Sequence, residues 1–70
     1  MKWVIQKTSF VRGTYFDRAQ NKLSYWDGKE FQDYLSNAVK YNELNNCQSI
    51  LNQLVEQGWK DLSPIQVSLN

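Results

Sequence analysis

The sequence predicts a small α+β domain: an antiparallel sheet of three to four strands packed by one amphipathic helix, in the order β-β-β, a short turn or strand, α, β. Three observations lead there. Seventy residues leave room for one core and no second one, so residues 1–70 form a single domain. The first 26 residues and the last few alternate apolar and polar side chains with β-branched and aromatic types, as a pleated surface requires. Between them, residues 43–57 carry one apolar stripe at helical spacing, and a sheet covered by one helix is the simplest two-layer solution.

The elements follow in order. Trp3 to Thr8 alternates as a strand and extends toward Phe10 and Val11. Gly13 breaks it, Thr14 to Arg18 forms a second extended segment, and Gln20-Asn21-Lys22 is expected to turn the chain into Leu23 to Trp26, making residues 14–26 a hairpin. Asp27-Gly28 is the strongest turn signal in the chain. Phe31, Tyr34, Leu35 and Ala38 share one helical face, with Asp33 or Ser36 able to cap a single turn; Val39-Lys40-Tyr41 could equally be a brief strand. In the long helix Leu44, Cys47, Ile50, Leu51, Leu54 and Val55 make the stripe. Asn42 is the expected N-cap, Glu43 suits the positive end of the dipole, and Gly58 terminates the helix. Pro64 breaks the chain before a closing strand of Ile65, Val67 and Leu69, itself at the strand's start or edge.

Composition limits function. Ten aromatics carry much of the burial, and the lone Cys47 excludes an internal disulfide, which points to a reducing cytoplasm. No apolar run is long enough to span a membrane, and Gln6 and Lys7 interrupt the N-terminal apolar stretch before it could serve as an export signal. Net charge is +1, yet unevenly placed: residues 1–26 hold five cations against Asp17, whereas residues 27–70 hold three against six anions.

Catalytic equipment is sparse. The chain has no histidine, hence no Ser-His or Cys-His pair, and Cys47 stands on the apolar stripe with no basic neighbour to activate it. Asp27, Glu30 and Asp33 cluster around the turn but lack calcium-loop spacing, so they read as solvated loop charge. The three glycines are too far apart for a phosphate loop. No enzyme activity, cofactor or metal is expected.

Binding is the remaining class. Arg12-Gly13-Thr14-Tyr15-Phe16 resembles part of the base-stacking strand of RNA-recognition motifs, but Thr14 stands where an aromatic belongs, Asp17 follows Phe16, and the chain has no room for that fold's two helices. No family is assigned on it. Its physical content is a basic hairpin with aromatics, a stacking platform for single-stranded nucleic acid. The helix's outer positions, all amide, serine or acidic, offer no cation to phosphate and read as a solvated face.

Successive strand residues point to opposite faces, so Tyr25 and Trp26 cannot both lie under one helix, nor can Tyr15 and Phe16. At least one large aromatic is therefore expected on the uncovered face. The expected contact surface comprises Arg12, Tyr15, Phe16, Arg18, Lys22, Tyr25 and Trp26. The sequence thus reads as a small cytoplasmic interaction module, a regulator or accessory subunit that binds a protein through this aromatic, basic face or by strand addition at a sheet edge. The alternative is a weak single-strand nucleic-acid binder using the same face, and a homodimer burying it is a third possibility.

Overall fold

The structure is a computed structural model that describes residues 1–11 and 20–68. Strand β1 spans Lys2–Val11, β2 Gln20–Trp26, β3 Phe31–Gln32 and β4 Leu62–Val67; helix α1 spans Leu44–Glu56, preceded by one 3-10 turn at Leu35–Asn37. The sheet is antiparallel in the order β3-β2-β1-β4, with α1 packed on one face, as the two-layer reading expects.

Strand β1 is the centre of the sheet because both its edges are paired. On one side Lys2–Lys7 run against Val67–Leu62; on the other Gln6–Val11 run against Tyr25–Gln20. Where β2 ends, another segment takes its place: Trp3 N–H donates to Tyr41 O at 2.8 Å and Tyr41 N–H returns a bond to Trp3 O at 2.7 Å. Val39 N–H donates to the carbonyl of Trp26 at 2.9 Å, joining this segment to the end of β2. Tyr41 is therefore extended and sheet-bound, the strand-like option for residues 39–41.

Three local expectations are corrected. Gln20-Asn21-Lys22 is strand, not turn: these residues pair with Val11, Phe10 and Ser9, so the hairpin joins β1 to β2. Backbone pairing with β1 outweighs the local turn propensity of a Gln-Asn pair. The predicted strand at 14–18 lies outside the described residues. Phe31 does not begin a helical face; it pairs with Trp26 in β3, and the 3-10 turn has Tyr34 at its N-cap with no side-chain bond. Asp33, the expected cap, instead faces the Lys22 ammonium at 3.3 Å. Lys40 Nζ closes the other end of the turn by donating to the carbonyls of Leu35, Ser36 and Ala38.

The N-cap of helix α1 falls one residue later than expected: it is Glu43, without a side-chain bond, and Asn42 Oδ1 accepts from Lys2 Nζ. Its C-terminus is a two-bond αL cap. Gly58 at φ 105° donates to Val55 O at 3.0 Å, and Trp59 N–H donates to Leu54 O at 3.1 Å. Trp59 then packs against the cluster containing Leu54, the hydrophobic contact that accompanies such caps. The described strand β4 starts at Leu62, so Pro64 lies inside it and not at its beginning.

Ile5, Cys47, Leu51 and Leu54 form the buried core, with Trp3, Trp26, Phe31, Tyr41, Ile50, Trp59 and Leu62 packed around it. Each fully buried aliphatic side chain contributes about 1.5–3 kcal/mol. Leu44 and Val55, counted on the stripe, lie at its flanks and stay 41% and 51% exposed.

Replacing Gly58 by alanine tests the helix stop. An added Cβ would meet nothing within 4 Å, so any cost comes from forcing an L-residue to φ 105°. Chemical denaturation of Gly58→Ala should show a loss of about 1–2 kcal/mol with an unchanged m-value; undiminished stability would mean the αL cap is not formed.

Candidate functional site

The register sorts every described side chain on the sheet to one of two faces. Ile5 lies under the helix, and with it Trp3, Lys7, Ser24, Trp26, Phe31 and Leu62. The opposite face carries Lys2, Val4, Gln6 and Thr8 from β1, Leu23 and Tyr25 from β2, Gln32 from β3, Ser63, Ile65 and Val67 from β4, and, by alternation from Tyr41, Lys40 beside Val4.

On the helix side the aromatics form a chain. Trp26 and Phe31, directly opposite on β2 and β3, have ring centroids 5.2 Å apart at 55°; Phe31 and Trp59 are 4.9 Å apart at 58°. Tilted pairs of this kind set the positive edge of one ring toward the face of the next. Lys7 Nζ stands 4.9 Å from the Trp59 centroid and 5.7 Å from that of Phe31, so its charge is held by two ring faces. The turn that brings Trp26 and Phe31 together is built by Asp27. Its N–H donates to Glu30 O at 3.0 Å, while its Oδ1 accepts from the N–H groups of Lys29 and Glu30, both at 2.7 Å. Gly28, at φ 105°, allows the reversal.

These contacts answer which expected residues come together. Tyr25 lies on the open face and Trp26 on the helix side, so the pair cannot belong to one surface, and Trp26 is a core-packing residue. Lys22 is exposed beside Asp33 on the helix-side face of β2. Arg12, Tyr15, Phe16 and Arg18 lie outside the described residues. Of the seven, Tyr25 alone is placed on the open face by the described register.

The open face holds more than the sequence reading found. Leu23, 43% exposed, and half-buried Tyr25 on β2 face half-buried Ile65 and Val67 on β4 across Val4, which is fully buried. Together they make an apolar diagonal over three strands, edged by Gln6, Thr8, Ser63, Lys2 and Lys40. The signal for it was present: Val4 and Ile5 are adjacent apolar residues on a central strand, so one must face away from the helix.

Other chemistry is spoken for. Two backbone N–H groups and the Gln32 amide satisfy the Asp27 carboxylate and hold its pKa below the usual 3.8, with the Glu30 contact the largest cause. Among the described residues no three metal-ligating side chains gather, and Asp27 belongs to its own turn. Cys47 is fully buried, which pushes its thiol pKa up; burial does the same to the Tyr41 phenol. On the helix exterior Gln48 Nε2 donates to Asn52 Oδ1 at 3.0 Å, one helical turn away. No helix among the described residues is long and apolar enough to cross a membrane. No family model, curated protein or solved structure matches this chain.

Two measurements follow. Folding lowers the Asp27 pKa, so its carboxylate stabilises the fold above about 3.8 and that contribution disappears as pH falls through the lowered value. Asp27→Asn should be less stable than wild type near neutral pH, with the gap narrowing in acid; a constant gap would mean the charge is immaterial. Cys47 should react with a thiol reagent only at the rate of global opening, accelerating in denaturant; fast labelling of the native protein would contradict its burial.

Proposed function

We propose that this chain is a non-enzymatic interaction module of the cytoplasm, a regulator or accessory subunit whose contact surface is the open face of its sheet. One observation carries the reading. A single helix covers one face, and the other presents an apolar diagonal of Leu23, Tyr25, Ile65 and Val67 around buried Val4. Contiguous apolar surface with a polar and basic rim, here Gln6, Thr8, Ser63, Lys2 and Lys40, is the composition of a protein contact. The absence of histidine from the sequence and the burial of the lone thiol support a binding role over catalysis and a reducing compartment.

The face is favoured over the sheet edge. Trp3 turns its backbone N–H and carbonyl toward Tyr41, away from β4, and by alternation so does Ile5. Pro64, opposite Ile5, therefore sits in a non-hydrogen-bonded pair and directs its donorless nitrogen outward. An incoming strand would find no N–H at the middle of β4, a common way of blunting an edge. β3, at the other end of the sheet order, is two residues long. The single-strand reading loses described support as well, because Lys7 lies over two rings, Lys22 faces Asp33 and Trp26 packs inward.

The test is quantitative binding to any partner captured by the tagged chain. Tyr25→Ala, shown to be folded by circular dichroism, should bind about 30-fold more weakly, the ~2 kcal/mol expected of an aromatic hot spot. Val55→Glu, on the exposed helix flank, should bind as wild type. The reverse pattern would move the contact to the helix and sink the proposal.

A further inference from the structure

Asp27-Gly28 carries a reactivity that its place in the turn conceals. An aspartate followed by glycine is the aspartyl bond most open to attack from within the chain, because no side chain on the second residue hinders its nitrogen. The Gly28 nitrogen bonds to the Asp27 carboxyl carbon, the carboxyl hydroxyl leaves as water with the displaced N–H proton, and a five-membered succinimide closes. Water then opens the ring. Addition at the side-chain carbon restores aspartate; addition at the former backbone carbonyl breaks its bond to Gly28 and leaves isoaspartate, with the main chain rerouted through the Asp27 side chain. Mass is unchanged, and no co-reactant other than water takes part.

The nucleophile is accessible. Gly28 is exposed at φ 105°, and among the described residues its N–H donates to no backbone carbonyl. The electrophile, in contrast, is tied down at both oxygens: Oδ1 accepts from the N–H groups of Lys29 and Glu30, both at 2.7 Å, and Oδ2 accepts from Gln32 Nε2 at 3.1 Å. Neither oxygen is free to leave until these bonds open. The two backbone bonds also lower the Asp27 pKa, which shrinks the protonated fraction at neutral pH, the form that loses water. Asp33 and Asp61 are followed by Tyr34 and Leu62, whose side chains hinder the same attack.

The turn is also where conversion changes most. Asp27 N–H donates to Glu30 O at 3.0 Å, and the reversal sets Trp26 against Phe31, which in turn packs on Trp59. Isoaspartate inserts one extra carbon into this short backbone loop and leaves the carboxylate as a branch on Cα, out of the position that gathers the Lys29 and Glu30 N–H groups.

We infer that Asp27-Gly28 is a self-modification site, an aspartyl bond that isomerises without an enzyme at a rate set by opening of the β2–β3 turn, and that its product unlocks the aromatic chain on the helix side. The inference does not depend on the contact surface proposed above.

Incubation of the intact chain at neutral pH, followed by trypsin, yields the peptide Leu23–Lys29, whose isoaspartyl form has the same mass, a shifted retention time and resistance to a protease that cleaves before aspartate. Conversion should be at least about ten-fold faster in concentrated guanidinium chloride than in buffer, because the folded turn must open first. Gln32→Ala, shown to be folded by circular dichroism, frees Oδ2 and should convert several-fold faster than wild type in buffer and at the wild-type rate in denaturant. Asp27→Glu should form no isomer, and the Asp33-Tyr34 and Asp61-Leu62 bonds should stay unconverted over the same interval. Converted protein, separated from the remainder, should show a lower denaturation midpoint.

A denatured chain that forms no isoaspartate at Asp27 overturns the site itself. Equal rates in buffer and denaturant overturn control by the turn, and a converted protein with an unchanged midpoint overturns the unlocking of the aromatic chain.

Discussion

The fold depends on one dipeptide in the middle of one strand. Val4 and Ile5 are both at 0% exposure, and as neighbours on a strand they look out of opposite faces of the sheet. Ile5 joins the helix core with Cys47, Leu51 and Leu54. Val4 is enclosed on the far side, next to its cross-strand partner Ile65. A central strand that buries apolar groups on both faces has side chains of this chain packed over each of them, the helix on one and the neighbours of Val4 on the other.

The rest of the architecture keeps β1 in that central place. Its two edges are filled by three separate segments, β4, β2 and the stretch around Tyr41, so nearly its whole length is paired inside the sheet. The αL cap at Gly58 brings Trp59 back onto Leu54 and Phe31, and the Asp27 turn brings Phe31 onto Trp26. Two turns with positive-φ glycines therefore assemble one aromatic chain that seals the helix side. Lys7 completes it: its long stem crosses apolar surface while its ammonium lies over the rings.

How much of this was legible depended on how local the determinant was. The helix, its stop at Gly58 and the Asp27-Gly28 reversal were readable because each rests on residues within a few positions of one another. The strand over Gln20–Lys22 was not, since its conformation is imposed by Ser9, Phe10 and Val11 on a distant segment. Phe31 was misread for the same reason: its spacing from Tyr34 and Leu35 fits a helix, but its pairing with Trp26 decides. For the site, period-two alternation required that one of Tyr25 and Trp26 face away from the helix. Which one depends on strand register, and that is fixed by pairing with β1. Ile65 and Val67 were read as a strand, but their place beside Val4 emerges only from the β1–β4 alignment.

The central claim is that the sheet face bearing Val4 is a contact surface and the helix exterior is not. Methyl NMR across a dilution series measures this directly, because the two surfaces carry separate reporters. On concentration, or on addition of a captured partner, the methyl signals of Leu23, Ile65 and Val67 should shift and broaden while those of Leu44 and Val55 hold still. Movement of Leu44 and Val55 with a silent sheet face would contradict the account.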